Sequence, residues 1–145
     1  MLALIQRVNW AQLRIEQQLH SEIAVGLLAL VGMEKGDGRA QADKLLEKII
    51  AYRVFADAEG KMNLGLKDVG GELMLVSQFT LAAATDKGLR PSFSSAMAPG
   101  EAEPLYDYLL EFARERLGTV SCGRFGADMQ IALENNGPVT FLLQS

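Results

Sequence analysis

Ser77, Gln78 and Thr80 close an otherwise apolar stretch, Glu72 to Ala82, in which Leu73, Met74, Leu75 and Val76 show no polar alternation. Four apolar residues in a row suit a strand covered on both faces. Polar groups at the mouth of such a strand need partners, because a buried group left unpaired costs roughly 1–3 kcal/mol. Either ordinary hydrogen bonds close the strand end, or a ligand supplies the missing partner. The chemistry on offer is two hydroxyls, one carboxamide and the backbone N–H groups around Phe79. Fixed N–H donors stabilise a developing oxyanion by roughly 3 kcal/mol each. The nucleophile and the proton would then come from water or from the substrate.

The remaining inventory narrows the options. His20 is the only histidine and falls in a polar segment near the N-terminus, so it reads as a solvated side chain rather than a base for a distant hydroxyl. Cys122 is the single cysteine, has no CxxC or local histidine partner, and reads as a small buried hydrophobe. An internal disulfide is excluded, and a zinc-type site lacks ligands. The aspartates show no calcium-loop spacing, and neither Gly36-Asp37-Gly38 nor Gly70-Gly71 makes a phosphate-binding fingerprint. No metal and no cofactor are expected. A second stretch, Asn135-Asn136-Gly137-Pro138-Val139-Thr140, reads by composition as a hairpin turn. Its Gly–Pro bond is of the type that can be cis, although only about 5–6% of X–Pro bonds are.

These two stretches must be positioned by the elements around them. Leu2 to Asn9 and Ala11 to Gln18 read as strands, the second with Leu13 and Ile15 alternating against Gln12, Arg14 and Glu16. Gln17 to Ser21 reads as a turn and Glu22 to Val31 as a third strand. After Gly36-Asp37-Gly38, where Asp37 can cap, a helix is expected with Ala42, Leu45, Leu46, Ile49 and Ile50 on its apolar face. Arg53 to Phe55 and Lys61 to Leu64 flank an Asp57–Gly60 turn. Thr85 to Ala98 is irregular, and a loop that long often carries function. A second helix is expected from about Glu101 to Leu117, with Leu105, Leu109, Phe112 and Ala113 inward and Gly118 as its stop. Thr119 to Arg124 reads as a strand or connector. Asp128 to Leu133 and Val139 to Leu143 read as the last two strands. The expected fold is α+β: a mostly antiparallel, curved, barrel-like β core with two helices packed on it.

A length of 145 residues suits one domain, 1–145, with a real core; the chain is 49% hydrophobic and 22% charged, both ordinary values. The apolar run Ile23 to Met33 is too short to span a bilayer, and the first residues lack a signal-peptide pattern. A cytoplasmic location is expected, with no membrane and no DNA partner. With 14 basic against 18 acidic residues and a net charge of −4, the chain is unsuited to broad nucleic-acid coating. A small footprint, such as a strand end, remains open to it.

With Ser77-Gln78-Phe79-Thr80-Leu81-Ala82 and Asn135-Asn136-Gly137-Pro138-Val139-Thr140 both in view, the chain resembles the bacterial D-aminoacyl-tRNA deacylases. The resemblance runs over essentially the full length. It takes in Gln6-Arg7-Val8, Phe55-Ala56-Asp57, Gly60 to Asn63, Arg90 to Phe93, Tyr106 to Tyr108 and Gly123 to Gln130. It implies hydrolysis of the ester between a D-amino acid, or glycine, and the terminal adenosine of tRNA. It implies a homodimer in which a cis Gly137–Pro138 loop enters the partner's pocket and rejects L side chains. It implies that Ser77, Gln78, Phe79 and Thr80 form the catalytic strand end, with backbone N–H groups near Phe79 and Thr80 as the oxyanion site and the substrate's ribose hydroxyl assisting. Met129, Asn135, Val139 and Thr140 are implied in substrate binding, and Arg7 in supporting the loop. Asn9-Trp10 and Glu16 to His20 depart from the family's usual small or Gly-containing residues. They are expected in the first hairpin, away from both motifs, bearing on dimer packing or solubility more than on activity. Lys87, Arg90 and Arg124 are candidates for local contacts with the tRNA acceptor end. The alternatives are a non-catalytic dimeric module binding a small molecule or nucleotide at the same strand end, and a general esterase using Thr80 or Ser77.

Overall fold

The sheet is assembled on one long strand, β1 (Leu2–Ile15), in a computed structural model that describes residues 1–86 and 88–145. The two strands expected from Leu2 to Gln18 are therefore one, continuous through Asn9 and Trp10. A two-residue turn, Glu16–Gln17, joins it to β2 (Gln18–Ile23), with Ile15 opposite Gln18. His20 thus lies exposed on a strand rather than in a turn. The chain breaks at Ala24–Val25 and resumes as β3 (Gly26–Gly32), so the expected third strand is two pieces. β2 pairs with the C-terminal half of β1 and β3 with its N-terminal half, both antiparallel.

The first helix, α1 (Arg39–Ala51), buries Ala42, Leu45, Leu46, Ile49 and Ile50, the face the spacing predicts. Its cap is Gly38 rather than Asp37: Gln41 Oε1 accepts from the Gly38 N–H at 2.9 Å, while Asp37 accepts from the Glu34 N–H at 2.7 Å. A short antiparallel pair, β4 (Phe55–Ala56) and β5 (Met62–Leu64), follows around the Asp57 turn. N–H donation from Lys61, then from the Asn63 side chain, holds the Asp57 carboxyl below its ordinary pKa.

β6 (Glu72–Ser77) lies parallel to β3, and β7 (Ser121–Cys122) parallel to β6. Each parallel pair needs a crossover, and the two helices lie on those connections: α1 between β3 and β6, α2 (Pro99–Leu117) between β6 and β7. α2 buries Ala102, Leu105, Tyr106, Leu109, Leu110 and Ala113, while Phe112 is only partly covered. The close approach of β3 to β6 explains Gly26: an added Cβ would lie 1.9 Å from the Glu72 carbonyl oxygen.

β6 is buried on both faces because it separates two cores. Leu73 and Leu75 face the helices together with Ala3, Ile5, Leu27 and Val31. Met74 and Val76 face a second cluster with Val8, Leu13, Ile23 and Leu28. The path β2-β1-β3-β6-β7 curves round that second cluster. Its two ends are tied where Ser21 Oγ donates to the Cys122 carbonyl and Ser121 Oγ to the Glu22 carbonyl, each at 2.9 Å. The result is an α+β fold with a mostly antiparallel, nearly closed barrel and two helices on it. No helix among the described residues is long and apolar enough to cross a membrane.

The last strand, β8 (Met129–Gln144), runs antiparallel along the other edge of β1. The expected hairpin at Asn135–Pro138 does not form. Both halves of β8 pair with β1, so the chain bulges outward there and continues in the same direction.

Candidate active site

The parallel ladder of β6 ends at Ser77, opposite Val31. One more bond follows, from the Gln78 N–H to the Val31 carbonyl at 2.7 Å. The chain then tightens into a 3-10 turn, Phe79–Ala82, closed by Leu81 N–H to Gln78 O and Ala83 N–H to Thr80 O, both at 3.2 Å. The first N–H groups of any such turn have no partner within it. Here these are the N–H groups of Phe79 and Thr80, and among the described residues no acceptor meets either. Gln78 Nε2 donates to Thr80 Oγ1 at 2.6 Å. Ser77 and Gln78 are half-buried, and Phe79 and Thr80 exposed.

Beside this strand end is a cavity of about 650 Å³. Ser77, Gln78 and Phe79 form one wall, Phe93 and Ala96–Pro99 a second, and Phe125–Met129 with Ile131 a third. Phe79 and Phe93 meet at 5.1 Å between ring centroids. The expected irregular loop does frame this cavity. It is pinned by paired hydrogen bonds between Ala84 and Ser92, by Lys35 N–H to Ser95 O, and by Met97 N–H to Met33 O at 3.0 Å. Behind the wall, the buried Tyr106 hydroxyl donates to the Leu75 carbonyl at 2.9 Å, tying α2 to β6. Burial pushes its pKa well above the ordinary phenol value.

The second motif forms the outward bulge of β8. Between the pairs Gln6–Thr140 and Val8–Asn135, β1 contributes only Arg7, whereas β8 contributes Asn136, Gly137, Pro138 and Val139. The excess stands out from the sheet edge as an exposed loop whose Gly137–Pro138 peptide is cis. Its base is braced by side chains. Asn135 Oδ1 accepts from the Val139 N–H at 2.9 Å, and Asn135 Nδ2 donates to Thr140 Oγ1 at 2.8 Å. Arg7 Nε donates to the Asn136 carbonyl at 3.0 Å, and its Nη1 donates to the Val54 carbonyl. Gly137 has φ +134°, a region closed to most side chains, and an added Cβ would fall 2.6 Å from Val139 Cγ2 and 3.0 Å from Arg7 Nη2.

Residues 4–144 match the family model described as D-Tyr-tRNA(Tyr) deacylase. The chain belongs to the D-Tyr-tRNA(Tyr) deacylase family. A D-aminoacyl-tRNA deacylase of Stutzerimonas stutzeri (strain A1501) is 59% identical over the full length of both chains. One of Actinobacillus pleuropneumoniae serotype 5b is 57% identical over 99% of each, and one of Escherichia coli O1:K1 / APEC is 52% identical over the same share. Among solved structures, the c-Myc DNA unwinding element binding protein superposes with a TM-score of 0.95 at 36% identity, over 100% of this chain and 99% of the other. A probable eukaryotic D-amino acid tRNA deacylase superposes at 0.84 with 15% identity, over 99% and 98%, a likeness of fold alone.

Measured against the deacylase family's implied site, the residues fall into two groups. Ser77, Gln78, Phe79 and Met129 meet at the cavity, with Thr80 next to them. Arg7, Asn135, Gly137, Pro138, Val139 and Thr140 gather at the loop and are not among the cavity's lining residues. Arg124 is exposed next to Phe125 of the cavity wall, and Arg90 is exposed on the loop between Ala84 and Ser92. Lys87 lies outside the described residues. One expectation is corrected. Asn9 is not remote from both motifs: its Oδ1 accepts from Asn136 Nδ2 at 3.0 Å. Among the wall residues, Phe93 and Phe125–Ala127 fall in segments that carry the resemblance and Ala96–Ala98 in the long irregular loop, but no local pattern marks them as converging from three distant segments.

Proposed function

We propose that this protein hydrolyses the ester joining a D-amino acid, or glycine, to the terminal adenosine of tRNA, releasing the free amino acid and tRNA. The observation that carries the reading is a pair of consecutive N–H groups with no acceptor among the described residues, one on Phe79, which lines the cavity of about 650 Å³, and one on Thr80 beside it. A water adds to the ester carbonyl, and the carbonyl oxygen becomes an oxyanion received by those two donors. Collapse breaks the bond to the ribose oxygen. The proton lost by the water reaches that oxygen through the neighbouring ribose hydroxyl. Thr80 is a poor nucleophile in this arrangement. The group that meets its oxygen is the Gln78 amide, a donor that cannot take a proton.

Selectivity comes from a second copy of the chain. In the homodimer the Gly137 and Pro138 carbonyls of one protomer face the substrate amino group in the other's cavity and occupy the space of an L side chain. Glycine passes because it has no side chain to reject. Two features support this: the loop is exposed outside its own cavity, and β8 pairs along one edge only among the described residues, with Phe141 and Leu142 exposed nearby. Asn135, Val139, Thr140 and Arg7 serve binding through the loop they brace. Met129 serves it directly as cavity wall. Residues 1–145 act as one deacylase domain in this reading. Arg90 and Arg124 meet the acceptor end, and the enzyme works in the cytoplasm, where aminoacyl-tRNA is made and used.

The test is deacylation of matched substrates. Purified protein should release D-tyrosine from D-Tyr-tRNA rapidly and leave L-Tyr-tRNA nearly intact. Equal rates on both, or none on either, overturn the reading. Tight binding of adenosine or free D-tyrosine with background hydrolysis would replace it with the binding-module alternative. A Thr80→Ala variant should keep most of the activity, and its collapse would return the threonine to the role of nucleophile.

A further inference from the structure

The register of β1 against β8 slips twice within a few residues. After the loop, Val8 is opposite Asn135, but Trp10 is already opposite Glu134. β1 therefore has one residue too many at this point, and that residue is Asn9. A bulged residue is released from the strict face-to-face alternation of the ladder and can aim its side chain along the edge. Asn9 does so. Its Nδ2 donates to Glu134 Oε1, and its Oδ1 accepts from Asn136 Nδ2 at 3.0 Å.

The chemistry of the three groups fixes their order. A carboxylate only accepts, so Glu134 turns the Asn9 NH2 toward itself. The Asn9 oxygen must then face Asn136, whose own NH2 is the matching donor. Asn136 is the residue before Gly137, and it is held at two points. Arg7 Nε donates to its carbonyl at 3.0 Å, and Asn9 receives its side-chain amide. One contact fixes a position, whereas two fix a position and a direction. The brace inside the loop, Asn135 to Val139 and Thr140, ties the far side of the bulge.

We propose that Asn9, oriented by Glu134, is a positioning residue that aims the Gly137–Pro138 loop and so sets the stereoselectivity of the deacylase. The proposal rests on the reading of the loop as the element that selects against L side chains. Asn9 touches no substrate. It acts through Asn136, and its loss lets the loop tilt enough to admit an L side chain while the oxyanion donors stay in place.

The experiment compares rates on D-Tyr-tRNA and L-Tyr-tRNA for wild type, Asn9→Ala, Asn9→Asp and the double variant Asn9→Asp/Glu134→Gln. Asn9→Ala should lower the D-over-L ratio by about fivefold to tenfold, the factor one lost hydrogen bond carries, chiefly through a faster L reaction. Asn9→Asp should be worse, because it sets a carboxylate against Glu134. The double variant should recover the ratio. The carboxamide it places at position 134 donates to the carboxylate at position 9, which still accepts from Asn136. A mere packing role would leave the ratio unmoved in Asn9→Ala and would give no rescue in the double variant. A discriminating wild type with an Asn9→Ala ratio unchanged, or a double variant no better than Asn9→Asp, overturns the inference alone. A wild type that does not discriminate overturns the proposed function and the inference together. Circular dichroism melts on all four proteins identify a variant that fails to fold, and the double variant then carries the decision.

Discussion

At the scale of single residues, the question is which atoms of the Ser77–Thr80 segment matter. The hydroxyl of Thr80 already receives the Gln78 amide, whereas the N–H groups of Phe79 and Thr80 meet no acceptor among the described residues. Backbone donors can be removed one at a time with proline where the conformation permits. Position 79 permits it: it opens the 3-10 turn, and the preceding Gln78, at φ −144°, ψ 84°, is outside the helical region that a following proline disfavours. Phe79→Pro is expected to lower kcat by a further factor of about 10²–10³ beyond Phe79→Ala, the cost of one oxyanion donor. Single-turnover deacylation of D-Tyr-tRNA measures it, and equal rates for the two variants would remove the Phe79 N–H from the mechanism. Gly137 is constrained differently. Its positive φ and the nearness of Val139 and Arg7 make a side chain costly within the loop itself, before any partner is met.

At the scale of elements, legibility followed the range of the interactions involved. β6 was readable because burial on both faces leaves an uninterrupted apolar run, and α1 because five buried residues recur at helical spacing. β8 was not, since Asn-Asn-Gly-Pro has the same composition in a hairpin turn as in an outward bulge. Only the partner strand decides, and β1 pairs with residues on both sides of it. The importance of Asn9 was hidden for the same reason, as its neighbour Asn136 is distant in sequence and adjacent only through the register. The turn between β1 and β2 carries an avoidable local conflict. Glu16 and Gln17 have φ values of 51° and 66°, where a side chain other than glycine costs about 1–2 kcal/mol per residue. Such paired positive values are those of the tight hairpin turns that favour Asn-Gly. Gln17→Gly should therefore stabilise the protein by about 0.5–1 kcal/mol, less than the strain relieved because glycine gives the unfolded chain more freedom. Urea titration should show a higher midpoint with an unchanged slope, and a lower midpoint would mean that Gln17 makes a compensating interaction.

At the scale of the whole molecule, the two motifs sit on different structural parts. The open donors belong to the 3-10 turn that follows β6, whose Phe79 lines the cavity, while the Gly137–Pro138 loop juts from an outer edge and is not among the cavity's lining residues. The charge balance agrees with a limited hold on RNA. A chain of net charge −4 grips poorly along a phosphate backbone, so a small footprint suits it better than broad coating.

The outward position of the loop has a genetic consequence. A copy whose cavity is disabled by Phe79→Pro still carries a sound loop, and a copy whose loop is spoiled at Gly137 still carries a sound cavity. Mixed and allowed to exchange subunits, the two defects should complement each other. With the proposed homodimer, half of the dimers become mixed and each mixed dimer rebuilds one of its two sites, so roughly one quarter of wild-type selective activity should return. Neither parent protein alone should show it.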